Sequence, residues 1–145
     1  MRVIVLAILF GAATAAWACT PELPLAKGVT AAVTATTVDS TKYSLIYRTL
    51  PEKIAIGQHF AVELALCAKD GTAAPAAENV RVDAHMPEHR HGMNYKTTVS
   101  GSGAGRYRAE GLMFQMPGRW EYIFEVRASG NKGATERITT RVVLP

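Results

Sequence analysis

The sequence predicts an all-β domain, a sandwich or a barrel, on three observations. From Tyr43 onward apolar residues recur at every second position in short runs, a period that sends alternate side chains to opposite faces of a strand. Clusters of Gly, Pro, Asn and Asp separate the runs, as turns do between antiparallel strands. No segment carries a helical period, and the alanines at 73, 74, 76 and 77 are interrupted by Pro75.

Residues 1–18 read as a secretory signal peptide: Arg2, an apolar run over residues 3–13, then the small-residue pattern Ala16, Trp17, Ala18 before Cys19. That run is shorter than the about 20 residues a spanning helix needs, and no later segment approaches that length. The mature chain, residues 19–145, is therefore expected to be one exported domain with no transmembrane segment, periplasmic or secreted. Residues 20–41 are rich in Thr, Ala and Pro, with weak alternation around residues 29–33, and hold at most one edge strand. Seven strands follow, at 42–48, 59–67, 80–85, 96–100, 105–114, 118–128 and 135–144. Phe60, Val62, Leu64 and Leu66 share one parity, as do Trp120, Tyr122, Phe124 and Val126, so each strand buries one face and two sheets close on one core.

The net charge of +4 comes from basic residues scattered among acids. Without a polybasic run or an aromatic-interleaved basic stripe, neither nucleic acid nor an anionic membrane is an expected partner. Cys19 and Cys67 are the only cysteines. In an oxidising compartment they read as one disulfide, worth about 4 kcal/mol in the chain-entropy model. The alternative makes Cys19 a lipidated first residue and leaves Cys67 unpaired; Trp17 sits poorly in a lipidation signal.

Three of the four histidines, His85, His89 and His91, lie in the run HMPEHRHGM at residues 85–93, with Met86 and Met93 among them. Imidazoles and thioethers are the neutral, fairly soft donors that suit copper, and they survive where a thiolate would be oxidised or paired. Val80, Val82 and Ala84 place the even positions of this strand toward the core, and Pro87 ends it. A near-extended loop beyond Pro87 would point His85, His89, His91 and Met93 one way. A second Met-Pro pair stands in LMFQMPGRW, residues 112–120, so every methionine after Met1 lies in one of two segments. The candidate metal ligands are His85, Met86, His89, His91, Met93 and Met116.

Each has a plainer reading. Met86 and Met116 share parity with apolar neighbours and fit a core equally well. His89 and His91, beside Glu88 and Arg90, fit solvated surface, and His85 can simply pair with Asp83. Met93, beside Gly92 in a polar loop, has little packing reason to be there. His59 and Met113 read as surface and half-exposed strand. The serines and threonines lack a nucleophile-elbow setting, and the glycines at 101–105 precede a strand, so they make a hairpin and no phosphate cradle. A three-histidine zinc enzyme would need a substrate cleft that nothing marks. The chain reads as a binding protein, not an enzyme.

The run RVDAHMPEHRHGMNYKTTVSGSGAGRYRAEGLMFQMPGRWEYIFEVR, residues 81–127, resembles the YtkA-like family of small exported bacterial domains, related in pattern to FixH-like proteins. The elements that carry the resemblance are Met86-Pro87, His91-Gly92, Gly105 to Tyr107, and Phe114 to Trp120. The resemblance implies an immunoglobulin-like β-sandwich in the periplasm or at the cell surface, and copper handling or help in respiratory-oxidase assembly. Gln115 stands where some members have histidine, and the membrane anchor of FixH-like relatives is missing. The functional expectation is a periplasmic copper chaperone or buffer with a His/Met site. The alternative is a non-enzymatic interaction module of the cell envelope, its partner a copper-handling or respiratory-assembly protein.

Overall fold

Period-two patterning resolves into nine strands among the residues that the computed structural model describes, which are 23, 34–72, 74–76, 79–127 and 135–145. They are β1 (Thr36–Asp39), β2 (Tyr43–Leu50), β3 (His59–Ala68), β4 (Val80–Met86), β5 (His91–Gly92), β6 (Thr98–Gly103), β7 (Arg106–Met113), β8 (Gly118–Arg127) and β9 (Thr135–Leu144). All seven expected strands are present, with ends displaced by at most three residues. β1 is the one edge strand allowed for in residues 20–41, at 36–39 instead of around 29–33, and β5 is additional. The expected signal peptide, Cys19 and the alternation at 29–33 lie outside the described residues.

Every neighbouring pair is antiparallel, in a sheet ordered β1-β2-β3-β7-β6 and a sheet ordered β5-β4-β8-β9. The chain changes sheet after β3, β5 and β7. Strands β2-β3-β7-β6 against β4-β8-β9 reproduce the four-plus-three arrangement of an immunoglobulin constant-type sandwich, with β1 and β5 added at opposite edges. The fold class is an immunoglobulin-like β-sandwich.

The even-numbered side chains of β4 and β8 (Val82, Ala84, Trp120, Tyr122, Phe124) meet Leu45, Tyr47, Leu64 and Leu66 of the other sheet, all buried. Phe114 packs on Trp120 with ring centroids 4.7 Å apart, and on Phe60 at 5.0 Å. Such tilted pairs add about 0.5–1.5 kcal/mol each beyond the area they bury. β3 departs furthest from one-sided burial, because Ala61, Ala65 and Cys67 are buried as well as Phe60, Leu64 and Leu66. As a central strand it is flanked on its outer side by charge pairs: Glu63 accepts from Arg48 at 2.5 Å and from Arg108 at 3.0 Å, and Arg108 also reaches Glu110 at 2.9 Å.

Antiparallel order settles what lies at each end. β2, β4, β7 and β9 finish, and β3, β6 and β8 begin, at one and the same end. The loops 51–58, 87–90, 93–97 and 114–117 are gathered there, and Gly57 N–H donates to the Phe114 carbonyl at 2.8 Å to join two of them.

Candidate functional site

Every histidine of the chain, and all four described methionines, lie at that end. His59 opens β3, His85 and Met86 close β4, Met113 closes β7, and the remaining four stand in or beside the loops. The two Met-Pro segments, separated by 30 residues of sequence in Met86 and Met116, become neighbours because β4 and β8 pair.

Pro87 stops the β4 ladder, and the chain turns back at once. His89 N–H donates to the Met86 carbonyl at 3.2 Å, and Arg90 takes a φ of 54°, in the left-handed region that closes a short hairpin. β5 then pairs with β4, His91 opposite Met86 and Gly92 opposite His85. The near-extended loop anticipated from the sequence is therefore replaced by a tight reversal, which divides the candidate residues between two faces. Opposed residues on antiparallel strands share a face. His91 thus lies on the inner side with Met86, and His85 on the outer side.

On the inner side, the His91 ring meets the Trp120 ring edge to face at 5.6 Å, and the His89 ring lies 5.9 Å from it. His91 Nδ1 is 3.1 Å from the Gly92 carbonyl oxygen. As donor in that bond it leaves Nε2 with its lone pair free, the usual way an outer-shell carbonyl sets the tautomer of a ligating histidine. Met86 is 1% exposed, and its methyl sits 2.5 Å from where a Cβ on Gly118 would be. Met93, whose N–H donates to the Ala84 carbonyl at 3.2 Å, packs half-buried against the core. Met116 is 37% exposed, and its carbonyl accepts the Trp120 indole N–H at 3.0 Å. Of the two methionines that share parity with apolar neighbours, Met86 is core and Met116 is surface.

On the outer side, His85 Nε2 lies 3.1 Å from Glu121, its register partner, and Arg141 approaches the same carboxylate at 3.8 Å. Its partner is this cross-strand glutamate, not Asp83, whose carboxylate caps the Ala84 N–H. Glu88 pairs with Arg119. A shallow cavity of about 300 Å³ is lined by Pro87, Glu88, Arg119, Trp120, Glu121 and Arg141, two acids against two bases. Among the described residues no three His, Cys, Asp or Glu side chains converge as a metal-binding group.

Two features were not foreseen. His59 stands opposite Met113 on the β3–β7 ladder, with the Tyr95 ring at 4.9 Å from the imidazole, a second His/Met grouping that only strand register could reveal. The Gln115 amide and the Tyr122 hydroxyl are buried without a hydrogen-bond partner among the described residues. Burial, with the neighbouring Tyr47 second, pushes the Tyr122 hydroxyl far above the usual tyrosine range.

Fold and site together define a small immunoglobulin-like domain whose soft donor residues crowd one end. The chain matches the profile of the YtkA-like family over residues 37–125, more than half its length, and belongs to that family. No curated protein matches it. Among solved structures, a DUF4426 family protein from Pseudomonas aeruginosa PAO1 is 8% identical, with a TM-score of 0.48 over 77% of this chain and 96% of that one.

Proposed function

We propose that this YtkA-like domain is an exported metal carrier, a copper chaperone or buffer of the periplasm, with His89 and His91 as its first ligands. The observation that carries the reading is the pair of imidazole rings with centroids 5.9 Å apart. A cation held about 2 Å from one nitrogen of each ring requires centroids roughly 5 to 6 Å apart. The setting supports the choice of metal: the signal-like residues 1–18 imply export, and thioethers persist in an oxidising compartment. A disulfide from Cys67 to Cys19 belongs to the same reading, tying the mature N-terminus to the central strand; among the described residues no cysteine is free. The role assigned is binding and delivery, without catalysis.

Titration of the purified protein with Cu(I) and Cu(II) tests the proposal. One tight equivalent is expected, lost when His89 and His91 are both replaced by Ala; binding that is absent, or unaffected by the double replacement, refutes it.

The second reading, an envelope interaction module with a role in respiratory-oxidase assembly, has its own support. The exposed large apolar side chains among the described residues, Ile56, Tyr95, Met116 and Val143, all lie at the same end as the histidines. A partner recovered from envelope extracts equally well with and without chelator favours this reading over the carrier.

A further inference from the structure

We infer that the site selects a soft monovalent cation, Cu(I) or Ag(I), over Zn(II) and Cu(II), and that Met86 supplies its third donor. The inference rests on the carrier reading above and goes beyond it in naming the charge class of the metal and the sulfur that recognises it. The hairpin offers two imidazoles, and among the described residues no further His, Cys, Asp or Glu converges with them. His85, the third histidine of the motif, is turned to the outer face and engaged with Glu121. The nearby carboxylates are occupied by cationic or histidine partners, Glu88 by Arg119 and Glu121 by His85 and Arg141. Zn(II) in structural sites wants four ligands, and Cu(II) favours nitrogen and oxygen in a tetragonal array. What remains beside His91 is sulfur.

The hairpin register puts Met86 directly opposite His91, a relation that places two Cβ atoms about 5 Å apart on the same face. The Met86 methyl is lodged over Gly118, where no side chain competes for the space. Met86, though buried, thus shares the inner face of the hairpin with His91. Two imidazoles with one thioether make a neutral, low-coordinate set, which suits a soft d10 monovalent ion. Trp120, fully buried, meets the His91 ring edge to face and backs the inner side of the hairpin.

Silver(I), which does not change oxidation state, is the probe. The protein carrying 13C-methyl methionine is titrated with Ag(I), with Cu(I) under reductant, and with Zn(II) and Cu(II), following each methionine methyl by NMR and affinity by chelator competition. Ag(I) and Cu(I) are expected to bind with one equivalent and at least about 100-fold more tightly than Zn(II) or Cu(II). The Met86 methyl resonance moves on saturation. Met86→Leu, which keeps the core volume, weakens Ag(I) by about tenfold or more with little change in melting, whereas Met116→Leu leaves Ag(I) affinity within about twofold. The inference is overturned if either divalent ion binds within about tenfold of Ag(I), or if Met86 stays unshifted in the silver-saturated protein. Divalent binding lost with His89 and His91 would leave the carrier reading standing while this one falls. Retention of no metal at all sinks both. Because the methyl shift is read on the unsubstituted protein, a Met86 variant that fails to fold does not remove the test.

Discussion

Replacing Gly118 by Ala probes the join between the core and the candidate site. Gly118 has a φ of +121°, and a Cβ there would lie 2.5 Å from the Met86 methyl. Holding an L-residue at such a φ costs about 1–3 kcal/mol, and forcing a methyl into a packed core costs about 1–3 kcal/mol more. The total, about 2–6 kcal/mol, is a large part of the about 5–15 kcal/mol that keeps a domain folded. Met86→Ala alone removes a side chain that is 1% exposed and is expected to cost about 2–5 kcal/mol. In the double variant the overlap is gone, so the two effects fall short of additivity by about 1–3 kcal/mol. Urea unfolding of the four proteins, with unchanged m values, measures all of this. A Gly118→Ala cost below about 1 kcal/mol would refute the backbone and packing argument together; strict additivity would show that the Met86 methyl is not the obstacle.

Other outcomes follow from the same coordinates. Tyr122→Phe removes a buried hydroxyl that lacks a partner among the described residues, so it is expected to stabilise by about 1 kcal/mol at pH 7, read by thermal unfolding. Because burial raises the Tyr122 value in the folded state, its contribution is complete below about pH 10 and declines above it, as the unfolded chain releases a proton that the folded one keeps. The Phe variant should therefore lose less stability than the parent between about pH 10 and 11, and a steeper loss would contradict the assignment. Glu63→Ala should cost about 1.5–3 kcal/mol, since it removes the carboxylate that accepts two hydrogen bonds from Arg48, itself 4% exposed. Arg108→Ala, at a half-exposed position, should cost under about 1 kcal/mol; equal losses in denaturant titration would undo that contrast. His85→Ala should leave copper affinity within about threefold, because its ring is committed to Glu121 on the other face. A tenfold loss by calorimetry would return His85 to the ligand set.

Much of the fold was legible because strand periodicity is local. The alternation of Trp120, Tyr122, Phe124 and Val126 says which side chains are inside, and each of them is buried. β5 escaped detection because a two-residue strand has no period; it exists only through its pairing with β4. β1 lay in a Thr- and Ala-rich stretch whose apolar signal pointed to residues 29–33 instead. The candidate ligands were visible as residue types, but their facing was not. A single reversal after Pro87 separates His85 from His91, and parity along the sequence treats them alike.

The amino-acid order alone settled which segments become strands, where they break, and which residue types crowd the HMPEHRHGM and LMFQMPGRW runs, since each of these depends on a residue and its near neighbours. Only the tertiary structure decided that His91 stands opposite Met86, that His85 turns to Glu121, and that His59 stands opposite Met113 and meets Tyr95 at the same end. Those relations are set by hydrogen-bond register between strands far apart in the chain, and a shift of one residue in that register would reverse every one of them.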